Sequence, residues 1–210
     1  MAATPRTPSF AAPEAQPPMG LRERKKLKTR VAIRQATYRL IQEQGYEATT
    51  IEQIAEAAEV SPSTVFRYFA TKEDIVLTDE YDPIMEAVLR SRPLDEPPLQ
   101  SLRLMMREAL TSFVTAEDEE LRQRTRLMVE IPAIRARMTE SMSDTAKLLS
   151  GLLADRTGRS ADDVRVRVFI AAVLGALREV TLYWGEHGQE GDLLTMIDEA
   201  LDMLEGGLRL

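Results

Sequence analysis

Apolar positions along this 210-residue chain recur every three to four residues, and no stretch shows the strict alternation of a β-strand. Ile33, Ala36, Leu40 and Ile41 make the first stripe, which stops at Gly45, a natural helix C-cap. Ile51, Ile54, Ala55 and Ala58 follow at i, i+3, i+4 and i+7, on a short helix that Thr49 opens in a capping box with Glu52. Ser61 offers a second N-cap, and Pro62 sits at the first helical position, where its missing N–H costs nothing. The helix it starts runs to about Phe69, with Val65 and Phe69 inward and Ser63, Thr64, Arg67 and Tyr68 outward. Thr71 caps a third helix, with Asp74 at its N3 position. Two helices joined by a tight turn, the second short, polar on its free face and carrying an Arg, have the architecture of a helix-turn-helix.

Beyond Lys72 the pattern stays helical. Ile75, Val76, Ile84, Ala87 and Val88 predict one helix over 72–90, kinked where Pro83 removes an i to i−4 bond. Residues 92–98, rich in proline, are a connector. Helices are then expected over 99–115, 118–131, 133–157 with a C-cap at Gly158, from a Ser160–Asp163 capping box to Trp184, and over 192–208. Residues 168–177 are apolar on every face of their helix. Such a helix must be covered all round, either as the centre of its own domain or by a second copy approaching over Ala171, Ala172, Gly175 and Ala176. The fold class is all-α: a disordered, proline-rich tail over 1–20, a three-helix head over 21–75 that holds the helix-turn-helix, and a larger helical body over 76–210.

The net charge of −7 hides an asymmetry, since residues 1–72 carry +4 and residues 73–210 carry −11. An acidic body with a basic head fits a protein that offers one end to phosphate. The basic run over 22–30 is either a solvated helix flank or a segment lying along DNA backbone. With no Cys, the chain has no disulfide or thiolate site, which suits the cytoplasm. Its single His, His187, excludes most catalytic triads and falls at a helix end. Nothing resembles a phosphate-cradling Gly loop, a nucleophile elbow or a paired-carboxylate site, so neither an enzyme, a cofactor nor a metal is expected. The acidic residues over 79–82 read as a solvated face rather than a cation site. The longest apolar run is half of the ~20 residues that span a bilayer, and the N-terminus lacks the apolar core of a signal peptide.

Residues 49–72, TTIEQIAEAAEVSPSTVFRYFATK, resemble the TetR family of bacterial transcriptional regulators in order and spacing. The match extends back to Ile33, Ala36, Leu40, Ile41, Gly45 and Tyr46 and forward to Glu73, Asp74 and Ile75, about a quarter of the chain. Glu59 stands where the family usually has Gly, and Phe66 where many members have Tyr, so a phosphate hydrogen bond from that hydroxyl is absent here. The resemblance implies that the head over 21–75 binds DNA and that the body over 76–210 dimerises and binds an effector: a homodimer on a palindromic double-stranded DNA operator, released by a small molecule bound in the body. The stretches over 64–69, 79–83 and 97–98 also resemble the subgroup containing the mycofactocin-system regulator, which implies an acyl-CoA effector.

On this reading Ser63, Thr64 and Arg67 meet base edges, with Arg67 able to contact guanine in bidentate fashion. Arg24, Lys28, Thr50, Ser61, Phe66, Tyr68 and Lys72 complete the DNA-facing set, most of them on phosphates. Met105, Met106, Phe113, Met128, Met142 and Phe169 lie on apolar helix sides and read either as core filler or as an adaptable effector pocket. Arg122, Arg124, Arg126, Arg135 and Arg137 are available either to a CoA head or to surface ion pairs. The rival from another class is a helical dimeric interaction module without DNA binding.

Overall fold

The computed structural model describes residues 20–78, 81–114 and 118–208, leaving aside the side chains of Glu23, of residues 81–84 and 109–114, and of Asp118. Among the described residues there are α-helices and no strands. The head comprises α1 (Leu21–Gln44), α2 (Ile51–Ala57), α3 (Pro62–Tyr68) and α4 (Lys72–Leu77), and the body comprises α5 (Tyr81–Ser91), α6 (Pro98–Val114), α7 (Asp118–Glu130), α8 (Pro132–Thr157), α9 (Val164–Glu186) and α10 (Leu193–Glu205). The tail over 1–19 and the acidic pair at 79–80 lie outside the described residues.

Local signals account for most helix ends. Ser61 accepts from the Thr64 amide with Pro62 behind it, Thr71 and Asp74 form a reciprocal capping box, and Gly158 closes α8 in the left-handed region. Two caps differ from expectation. The N-cap of α2 is Thr50, paired with Gln53, because Thr49 is buried and its hydroxyl donates to the Gly45 carbonyl (2.8 Å). The N-cap of α9 is Asp163, which accepts from the Arg165 amide (2.8 Å), while Ser160 only accepts from the Asp162 amide. The expected kinked helix over 72–90 is two helices: α4 ends in extended backbone at Thr78, and Pro83 falls in the first turn of α5, where no intrahelical partner for its nitrogen is needed.

Three apolar clusters hold the chain together. Ile33, Ile54, Ala55, Val65, Phe69 and Ile75 form the head core, and Leu89, Leu102, Met105, Leu152, Ile170 and Leu201 are among the residues of the body core. Between them, Tyr38, Ile41, Tyr46 and Val76 of the head meet Leu127 and Ile134 of the body. Polar ties reinforce that joint. Tyr38 donates to the Val76 carbonyl at the end of α4 (2.9 Å), satisfying a group that the helix leaves unpaired, and Gln123 donates to the Tyr38 carbonyl (2.9 Å). Buried Arg34 pairs with Glu120, and Arg137 pairs with Asp74 at 2.7 Å.

Successive residues of α4 turn by about 100° and therefore face three places. Ile75 faces the head core, Val76 the joint, and Leu77 a cavity in the body.

Candidate nucleic-acid interface and effector cavity

The turn before α3 is a Schellman motif. The Glu59 amide donates to the Glu56 carbonyl (3.1 Å) and the Val60 amide to the Ala55 carbonyl (2.9 Å), closing α2 with Glu59 at φ 55°. The left-handed backbone that family Gly residues supply without strain is thus imposed here on Glu, at a cost of roughly 1 kcal/mol. This turn aims α3 outward. Ser61, Ser63, Phe66 and Arg67 are exposed, Thr64 and Tyr68 are half-buried, and Val65 anchors the helix from below. The Ser61 hydroxyl lies 2.9 Å from those of both Ser63 and Thr64, so three hydroxyls share one network at the start of the helix. The Arg67 guanidinium sits 5.3 Å from the Tyr68 ring centroid. Phe66 is 56% exposed, an aromatic side chain displayed to solvent beside these polar groups.

Leu21, Arg22, Lys25, Lys26 and Thr29 of α1 line one groove with Arg67 and Tyr68. Arg24 and Lys28 are also exposed on α1 but are not part of that groove. Arg24 and Lys28 are an i, i+4 pair on one side of the helix, and helix docking brings Arg22, Lys25 and Lys26 beside α3 instead. Thr50 is exposed at the start of α2. Lys72 is half-buried and donates to the carbonyls of Tyr46 (2.6 Å) and Thr49 (2.9 Å). It therefore ties the α1–α2 turn to α4. The Tyr46 hydroxyl donates to Glu73; burial and that carboxylate push the phenol well above its ordinary range.

In the body, a cavity of about 290 Å³ opens among Leu77 and Met85, α6, α7, α8, α9 and α10. Met106, Met128 and Met142 line it, joined by Met85 and Met138, so that five flexible thioethers from α5, α6, α7 and α8 surround it. Met105 is instead buried in the body core, Phe169 packs against that core without reaching the cavity, and the Phe113 side chain lies outside the described residues. Arg124 and Arg178 also line the cavity, with no acidic residue in its lining among the described residues, and Arg178 pairs with neighbouring Glu179 at 3.8 Å. Thr125 lines it too, fully buried, and its hydroxyl has no hydrogen-bond partner. Beside it α9 packs tightly on α7 at Gly185, where a Cβ would stand 2.8 Å from the Thr125 methyl and 2.7 Å from a Val129 methyl.

The arginines considered for a CoA head are mostly engaged in the fold. Arg122 lies over Trp184 and donates to the Gln189 carbonyl (3.1 Å), Arg135 donates to the Val129 carbonyl (2.9 Å), and Arg137 bridges Asp74 and Glu140. Arg124 faces the cavity, and Arg126 is exposed. His187 ends α9 with its ring stacked on Tyr183 (3.8 Å).

The apolar helix α9 is two-sided. Val166, Ile170, Val173, Leu182 and Trp184 are buried within the body, whereas Val164, Val168, Ala171, Ala172, Gly175 and Tyr183 are exposed on its outer side. The central-helix reading thus holds for the inner face alone.

Residues 33–78 match the family described as bacterial regulatory proteins, tetR family, and residues 96–209 match the MftR C-terminal domain, a TetR C-terminal family. The HTH-type transcriptional regulator TcmR of Streptomyces glaucescens is 36% identical over 173 residues, covering 79% of this chain and 76% of that protein. The fatty acid metabolism regulator protein of Bacillus subtilis (strain 168) is 23% identical over 178 residues, covering 82% and 92%. The crystal structure of the transcriptional regulator FadR from Bacillus subtilis in complex with stearoyl-CoA shares the fold, with a TM-score of 0.58 at 23% identity over 85% of this chain and 99% of that one. Both parts of the chain, the helix-turn-helix and the helical body, match, and the chain belongs to the TetR family of transcriptional regulators, which are DNA-binding proteins and not enzymes.

Proposed function

We propose that this protein is a cytoplasmic homodimeric repressor whose head, residues 21–75, grips a palindromic operator and whose body, residues 76–210, releases it when an apolar effector, specifically an acyl-CoA, enters the cavity. One observation carries the link between the two activities: α4 lies in both, with Ile75 in the core that supports α3 and Leu77 in the cavity wall. An acyl chain that displaces Leu77 moves the helix on which the DNA-reading head rests. For a tenfold loss of DNA affinity the ligand must favour the released state by about 1.4 kcal/mol.

Ser63, Thr64 and Arg67 are assigned to base edges. Ser61, Thr50, Tyr68, Lys72 and the basic flank of α1 are assigned to phosphates, and exposed Phe66 to apolar contact with sugar or base. The dimer forms over the outer face of α9 together with α10, burying Val164, Val168 and the small residues between. It sets the two α3 helices about one DNA turn apart, ~34 Å, or a multiple of it. The acyl-CoA reading is supported by the thioether-rich cavity, whose volume is near the lower end of the ~300–1,000 Å³ usual for ligand sites. A chain fits and a nucleotide head stays outside.

A mobility shift with DNA from beside the protein's own gene, followed by titration with acyl-CoAs of several chain lengths, tests the reading. Retarded DNA that is released by an acyl-CoA is the expected result. Failure to retard any operator-length duplex at low salt favours the interaction module. Release by an aromatic cation but by no acyl-CoA removes the acyl-CoA assignment and leaves ligand-responsive repression standing.

A further inference from the structure

We infer that Phe66 reads a thymine, with its ring against the C5 methyl group of that base in the DNA major groove. This rests on α3 being the helix that enters DNA.

Phe66 stands apart from the other large apolar side chains of the helix-turn-helix. Ile54 and Val65 are buried in the head core, and Ile51, Val60 and Tyr68 pack against it. Phe66 belongs to none of the three apolar clusters and is 56% exposed. Of the large apolar side chains exposed among the described residues, it alone falls in α2 or α3. A lone apolar residue is ordinary on a protein surface, but one on the outer face of a recognition helix meets the duplex when that helix docks.

The backbone fixes that face. Ser63, Phe66 and Arg67 follow at i, i+3 and i+4 and all three are exposed, while Val65 turns to the core. One side of α3 therefore offers a hydroxyl, a guanidinium and a phenyl ring together.

The chemistry of the groove selects the partner of the ring. Base edges in the major groove present nitrogen and oxygen donors and acceptors, and the one apolar group among them is the C5 methyl of thymine. Against a donor or acceptor, a phenyl ring strips water and returns no hydrogen bond. Against the methyl, both surfaces lose water to mutual advantage. Cytosine, which offers an amino group and no methyl, is disfavoured at the same place.

Binding titrations of the full-length protein on the tightest duplex selected from a random pool, with one thymine at a time replaced by uracil, test this. The exchange deletes the methyl and keeps every hydrogen-bonding edge. Uracil at one thymine of the half-site is expected to weaken the wild type about fourfold, the value of one buried carbon. Phe66→Ala binds the thymine duplex more weakly by at least that factor and is indifferent to uracil at that position. It melts at or above the wild-type temperature, since the ring is exposed and Ala is the better helix former, so a folding defect does not account for the loss. If no thymine responds to uracil, or if Phe66→Ala keeps the wild-type response at every thymine, the inference is overturned and DNA reading by α3 survives. A Phe66→Ala loss that is equal on thymine and uracil duplexes also overturns it and places the ring on sugar. If the wild type selects no duplex, the inference and the assignment of α3 to DNA fall together.

Discussion

The Lys72 ammonium lies 3.9 Å from the centroid of the Tyr46 ring while donating to the Tyr46 carbonyl. A residue that opens α4 is thereby fastened to the turn that leads into α2, and a second bond to the Thr49 carbonyl completes the link. Lys72→Ala is expected to lower stability by about 1–3 kcal/mol, since two carbonyls lose their donor, and to weaken all operator sequences alike. Lys72→Arg is not a substitute, because a planar guanidinium does not fill the site of a compact ammonium. Denaturant unfolding beside a salt-dependent binding titration checks this; a variant of wild-type stability with a salt slope flatter by about one unit would make Lys72 a phosphate contact alone.

Arg67 is exposed at the end of α3 without an ion-pair constraint on the fold, so Arg67→Ala is expected to leave stability unchanged. Operator affinity falls by about 1–3 kcal/mol, and preference at one base pair relaxes. Binding measured across single-base operator variants checks this, and an equal loss on every sequence would assign Arg67 to backbone.

Glu59 holds a left-handed conformation at φ 55° in the α2–α3 turn. Glu59→Gly is expected to stabilise the protein by up to ~1 kcal/mol with operator recognition kept, as the Schellman hydrogen bonds need no side chain. A raised denaturation midpoint at constant slope is the sign to look for.

A Cβ added at Gly175 meets nothing within 4 Å, so Gly175→Glu is compatible with the folded protomer. On the proposed dimer face the same substitution puts a charge between two close helices. Light scattering is expected to show a folded monomer that no longer binds operator; a folded dimer would place the interface elsewhere.

Arg92 of the connector and Ser101 of α6 both donate to Glu96 and hold its carboxyl down at about 2. The depressed value means that this contribution is fully present above the ordinary carboxylate range and is lost as pH falls through the range from about 4.5 to about 2. Glu96→Gln is expected to be less stable than wild type at neutral pH and to show a shallower acid slope. Unfolding followed between pH 2 and pH 7 checks both.

What the chain determined by itself is local. Ser61-Pro62, the Thr71–Asp74 pair and Gly158 end helices through groups a few residues away, so their roles can be read without the rest of the molecule. The helix-turn-helix spacing, which sets Ser63, Phe66 and Arg67 on the exposed side of α3 and Val65 on its inner side, belongs to the same class. Competing local solutions were decided by burial: Thr49 and Thr50 both begin a capping box, and Thr50 caps because Thr49 is drawn inside toward the Gly45 carbonyl. The rest depended on how helices rotate against one another. Periodicity marks Met105 and Met106 alike as apolar, but the docking of α6 sends Met105 to the core and Met106 to the cavity. The contact between Lys72 and Tyr46 spans 26 residues, and the Thr125 hydroxyl is unusual only because the helices around it supply no partner. Such facts arise when distant segments meet, since burial and long-range distance are set by packing and not by neighbours in sequence.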